Sequence, residues 1–119
     1  MGLTANAKPV NITILSGASL SDVADIRGVQ LVSIIMPAAW TAADLSFQSS
    51  EDNVTFNDVY DEYDVETFFN AGASRFIGLK DNLNILIGAN YLKVRRGSTA
   101  AAVNQGADRI ITLLVRPLK

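Results

Sequence analysis

Short runs of alternating apolar and polar residues recur along this chain at roughly ten-residue spacing, with turn-forming residues between them, and no long segment carries the 3.6-residue period of an amphipathic helix. Val10, Ile12 and Ile14 alternate with Asn11 and Thr13. Leu45, Phe47 and Ser49 alternate with Ser46 and Gln48, and Val54, Phe56, Asp58 and Tyr60 repeat the pattern. Further short runs cover 65–69, 75–79 and 91–95. Two segments differ: VQLVSIIM, 29–36, and IITLLV, 110–115, are apolar almost throughout, and Pro37 and Pro117 stop them. Such runs suit strands covered on both faces, or core strands in a sandwich, so these two are expected at the centre of the sheets. The pattern predicts an all-β, single-domain β-sandwich of the jelly-roll kind with about eight strands.

Some segments leave alternatives open. In LSDVADIRG, Leu20, Val23 and Ile26 fall at spacing three, which fits one helical turn or an irregular crossing. Residues 81–88 fit a loop, a bulged strand or a short helical turn, and 96–108 reads as a long loop of small residues. Residues 1–8 are expected to form a flexible arm. At 119 residues the chain fits one domain that buries about two-thirds of its unfolded surface.

Several function classes lose their chemistry at this point. Without histidine the commonest general base and metal ligand is missing, and without cysteine there is neither a disulfide nor a thiolate site. No phosphate-cradling glycine motif occurs. A net charge of −2, with Arg95-Arg96 the densest basic run, argues against nucleic-acid binding. No apolar run is long enough to span a bilayer as a helix. The expectation is a non-enzyme with no cofactor, made in a reducing cytosol. Charged residues are only 18% of the chain while 49% are apolar, so part of the apolar surplus is expected to face other subunits.

The acids crowd into one stretch, FQSSEDNVTFNDVYDEYD and the residues just after it. Glu51, Asp52, Asp58, Asp61, Glu62, Asp64 and Glu66 fall there without an intervening Lys or Arg. Calcium would need a loop that wraps six to eight oxygens around the ion, and the EF-hand glycine is missing, which leaves Asp61, Glu62 and Asp64 as an irregular alternative. Carboxylate pairs also raise glycoside hydrolysis, but any acidic hairpin offers them. The preferred reading is a hairpin kept wet by its charge, which blunts sheet-edge pairing and pairs with a basic neighbour. Asp52-Asn53 supplies the turn, since Asn tolerates left-handed backbone.

LSFQSSEDNVTFNDVYD resembles the hairpin of discoidin-like and other jelly-roll sandwiches, with Asn53 where glycine is usual, and ANYLKVR, 89–95, resembles a later strand of the same sandwiches. The series MPAAWTAADLSFQSSEDNVTFNDVYD, SRFIGL and ANYLKVRRGSTAAAVNQGADRIITLLVRP is similar to small proteins encoded among the head genes of tailed bacteriophages and prophages, over about residues 20–118. That resemblance implies a virion structural protein made in the host cytoplasm. It would be a minor capsid or decoration protein that binds the major capsid protein, often as a trimer.

Candidate contact residues follow. Trp40 fits either an interface anchor or burial beneath a loop. Phe68 and Phe69 are adjacent, so in a strand they face opposite sides, and one of them is expected to mark an intersubunit surface. Arg95 and Arg96 fit either a contact with an acidic neighbour or two solvated side chains. The runner-up function is glycan binding through Trp40, Tyr60, Tyr63 and Tyr91. It is favoured if at least two of these share a loop rim and disfavoured if they are buried. A tail or baseplate component is the third possibility.

Overall fold

A computed structural model describes residues 7–79, 86 and 88–117. Among these residues there are nine strands: β1 (Lys8–Ile14), β2 (Ala24–Asp25), β3 (Val29–Ile35), β4 (Ala43–Ser50), β5 (Asn57–Asp58), β6 (Phe68–Ala71), β7 (Phe76–Gly78), β8 (Tyr91–Arg96) and β9 (Arg109–Pro117). They form two antiparallel sheets, one in the order β1-β9-β3-β7 and the other β2-β8-β4-β5, with β6 also paired to β4.

The pairing is nested. β1 pairs with β9, β2 with β8, β3 with β7, and β4 with both β5 and β6. The chain is thus one long hairpin rolled up so that β9 also meets β3 and β8 also meets β4. That winding is a jelly roll. The two apolar runs occupy β3 and β9, the two inner strands of their sheet; they are not covered on both faces, since one face packs into the core while Ile35 and Ile110 stay exposed on the other. A shift in register between Leu31 and Ser33 bends β3 along β9.

Strand alternation builds the core. Ile12 and Ile14 of β1, Ile111, Leu113 and Val115 of β9, and Leu31 and Ile34 of β3 are buried from one sheet; Leu45 and Phe47 of β4 and Leu92 and Val94 of β8 are buried from the other. Phe69 packs its ring 6.0 Å from that of Phe47. Burying a side chain such as Phe47 contributes about 1.5–3 kcal/mol.

The ambiguous segment 20–26 is an irregular crossing and not a helical turn. Leu20 bridges Arg95, Ser21 bridges Ile14, and β2 lasts two residues. Of the arm expected over 1–8, Lys8 instead pairs with Val115 in β1, and residues 1–6 lie outside the described residues. Most of 81–88 also lies outside them. The long loop of 96–108 is held by backbone bonds within itself and to residues 16–18. Gly97 bridges Ala102, Ser98 and Ala101 exchange bonds, and Gln105 bridges Ser16.

Candidate functional site

The acidic stretch resolves into two tied turns and one buried ionic network. At the first turn, the Asp52 carboxylate accepts the backbone N–H groups of Val54 and Thr55 at 2.9 and 3.0 Å, and the Ser50 hydroxyl accepts that of Asn53. Asn53 stands at φ 63°, as the turn residue was expected to. These backbone bonds, led by Thr55, hold the Asp52 carboxyl below its ordinary value. At the second turn, Asp61 accepts the N–H groups of Tyr63 and Val65, with Asp64 in the left-handed region. Both aspartates do local work, satisfying backbone donors that no strand partner reaches.

The network centres on Arg95. In β8 it alternates with Leu92 and Val94, so it points away from the core, yet its side chain is only 7% exposed. Two segments roof it: the loop before β6 supplies Glu66, and the loop after β8 supplies Thr99. Arg95 Nε donates to Ser46 Oγ at 3.0 Å, Nη1 to Asp58 Oδ1 at 2.8 Å, and Nη2 to Glu66 Oε2 at 3.0 Å and Thr99 Oγ1 at 2.8 Å. Glu66 in turn accepts the Thr99 hydroxyl and backbone N–H, and Asp58 accepts the Gln48 amide.

Sheet register prepares this arrangement. Asp58, Gln48 and Lys93 lie side by side across β5, β4 and β8, and Phe68, Ser46 and Arg95 form the next row across β6, β4 and β8. Gly97 sits at φ +93° in contact range of the Ala101–Val103 backbone, where a Cβ would collide. Its freedom lets the chain double back and place Thr99 over the guanidinium. Burial pushes the Asp58 carboxyl upward, but the Arg95 and Gln48 hydrogen bonds outweigh it and hold the group below its ordinary value.

The reading of Arg95 as a solvated residue, or as one partnered by a neighbouring subunit, is therefore overturned. Its acids belong to the same chain, and a guanidinium at this depth requires such partners. Arg96, the next residue, faces the other way. Its guanidinium carbon lies 5.4 Å from the Trp40 ring centroid, and it donates to the Asn104 and Thr41 carbonyls. Trp40 is buried, with its indole N–H on the Ala71 carbonyl at 3.1 Å, so the burial alternative describes it.

The two phenylalanines divide as strand alternation requires. Phe69 turns inward onto Phe47, and Phe68 turns outward, 48% exposed. Of the five residues singled out from the sequence, only Phe68 offers a large exposed apolar surface. Thr99 and Ser46 were missed, and Asp58 and Glu66 stood out only as members of the acidic stretch. Outward phase in β8 pointed Arg95 away from the core, but no local pattern links it to residues 29 or 49 positions away.

Among the described residues, no three carboxylates are grouped to hold a cation. Asp58 and Glu66 both pair with the Arg95 guanidinium. No protein-family model, curated protein or solved structure matches the chain.

Proposed function

We propose that the chain is a non-enzymatic structural protein of a tailed-bacteriophage particle, a decoration or minor capsid protein that binds the major capsid protein of the assembled head. The observation that carries this reading is the internal saturation of the charged cluster around Arg95. All three guanidinium nitrogens of Arg95 are engaged by Ser46, Asp58, Glu66 and Thr99, a constellation suited to rigidity and not to turnover. Exposed apolar side chains supply contact surface in its place. Jelly rolls serve in viral capsids and in lectins, so the fold is compatible with the reading without selecting it. The test is co-expression with the major capsid protein of the same genome, followed by sedimentation of the shells. Stoichiometric co-sedimentation is the expected result; protein left in the supernatant beside closed shells would remove the reading.

One observation favours a second reading, glycan binding. Tyr60 and Tyr63 are both exposed on the same turn, beside Glu62 and Asp64. Trp40 is buried and Tyr91 lies under the Arg27 guanidinium at 5.3 Å, which leaves that turn as the candidate sugar platform. Host-surface polysaccharide retained by the wild-type chain and released by Tyr63→Ala would favour it over capsid binding.

A further inference from the structure

Two stretches of chain stand over Arg95: the turn 60–66 before β6 and the loop 98–102 after β8. Neither contributes a residue to the hydrophobic core or to the apolar side chains packed against it. Stretches without such burial are the first to open in a folded protein. Their hydrogen bonds are also spent mostly on themselves. In the turn, the Asp61 N–H donates to the Val65 carbonyl and the Asp64 N–H to the Asp61 carbonyl, while the Asp61 carboxylate accepts from Tyr63 and Val65. In the loop, Ser98 and Ala101 exchange N–H to carbonyl bonds of 3.3 and 3.2 Å.

Among the described residues, every hydrogen bond that ties the turn to the rest of the chain ends on one side chain, the Glu66 carboxylate, and every one that ties the loop ends on one residue, Thr99. These two points hold each other. Glu66 accepts the Thr99 hydroxyl at 2.6 Å and the Thr99 N–H at 3.0 Å, and Arg95 Nη2 donates to both residues.

We infer that the turn 60–66 and the loop 98–102 are the two halves of a single clasp over Arg95, which opens and closes as one unit and uncovers the guanidinium when open. A loop with several attachments could lose one and stay in place. Here each half is anchored only in the other and in the arginine beneath them, so loss of either anchorage releases both. With the clasp shut, the Arg95 and Glu66 side chains are only 7% and 10% exposed. Ser46 and Asp58 reach Arg95 from β4 and β5, so the opened state keeps the guanidinium on the sheet with these two partners.

Hydrogen exchange followed residue by residue by NMR on the full chain is the test, with one variant for each half. Thr99→Pro removes both the N–H and the hydroxyl offered to Glu66 and alters nothing in the turn 60–66. Position 99 is the second residue of the four-residue turn 98–101, a place that proline favours. Glu66→Gln weakens the other half. Each variant should speed exchange of the Asp61 and Val65 amides and of the Ala101 amide at least about tenfold. The Ile111 and Leu113 amides in β9 should stay protected, which shows that the sandwich is intact. Labelling of Arg95 by phenylglyoxal, read by peptide mass, is expected to be slow in the wild type and at least about tenfold faster in both variants. Exchange that speeds up in 98–102 alone when Thr99 is replaced, or Arg95 labelling unchanged in either variant, would overturn the inference.

Discussion

The two sheets solve the same problem, a strand face turned away from the core, in opposite ways. On the outer face of the β1-β9-β3-β7 sheet the chain leaves Phe76, Ile35 and Ile110 uncovered and places few charges. On the outer face of the β2-β8-β4-β5 sheet it buries an arginine under two loops and supplies each guanidinium nitrogen with a partner. The first face costs little to build and keeps apolar side chains in contact with solvent. The second demands coordinated placement of Ser46, Asp58, Glu66 and Thr99, and in exchange it ties the acidic hairpin and the loop after β8 to the sheet. Polar networks of this sort reward completeness, since a partly satisfied one destabilises. The contrast is between a face left open to solvent and a face whose arginine is roofed by its own loops.

The contrast can be broken most sharply at Arg95. Arg95→Ala leaves Ser46 without its donor and sets two carboxylates beside each other, and should destabilise the fold by about 3–5 kcal/mol in chemical denaturation. Arg95→Lys should recover only part of that loss, because one ammonium cannot match the forked contacts to Asp58 and Glu66.

A smaller effect is expected at Asp58, read through pH. Its folded-state carboxyl sits below the ordinary value, so the unfolded chain binds the proton more readily. The stability it contributes is therefore present above the unfolded value near pH 4 and lost as pH falls through the folded one. Asp58→Asn should cost about 1–2 kcal/mol at neutral pH and flatten the decline of stability on acidification, measured as denaturation midpoints over an acid series.

The smallest effect is expected on the open face. Thr112 sits outward on β9, its hydroxyl donating to the Asn11 amide oxygen at 2.9 Å in an exposed position. Thr112→Ala should change stability by less than about 0.5 kcal/mol. A loss there comparable to that of Arg95→Ala would erase the distinction between the two faces.

What could be read from residues alone follows the same divide. The apolar runs 29–36 and 110–115 announce central strands, and β3 and β9 are the inner pair of their sheet. Asn53 announces a left-handed turn, and the outward and inward fates of Phe68 and Phe69 follow from strand alternation. These features depend on period and on local backbone chemistry, which a sequence displays directly. The segment 20–26 was ambiguous because its strand is two residues long and its bridges reach residues 14 and 95. The Arg95 network was hidden for a related reason. Its members come from β4, β5, the approach to β6 and the loop after β8, and only the rolled chain assembles them. Charge clustering at 51–66 was visible, but which acids were tied to the backbone, which to Arg95 and which to nothing depends on where the hairpin lands.

The nested pairing has a consequence for how the molecule comes into being. As the chain is synthesised, β4, β5 and β6 can meet early, because few residues separate them, whereas β1 and β3 must wait for β9, the last described strand. Until then the apolar run of β3 has one hydrogen-bonding edge open, a state in which chains of this topology are prone to pair with each other. Long-range closure of this kind is slow. A nascent chain stalled short of residue 109 would therefore hold a formed acidic hairpin beside an unfinished sheet, and the hairpin's carboxylates would be the part that keeps it in solution.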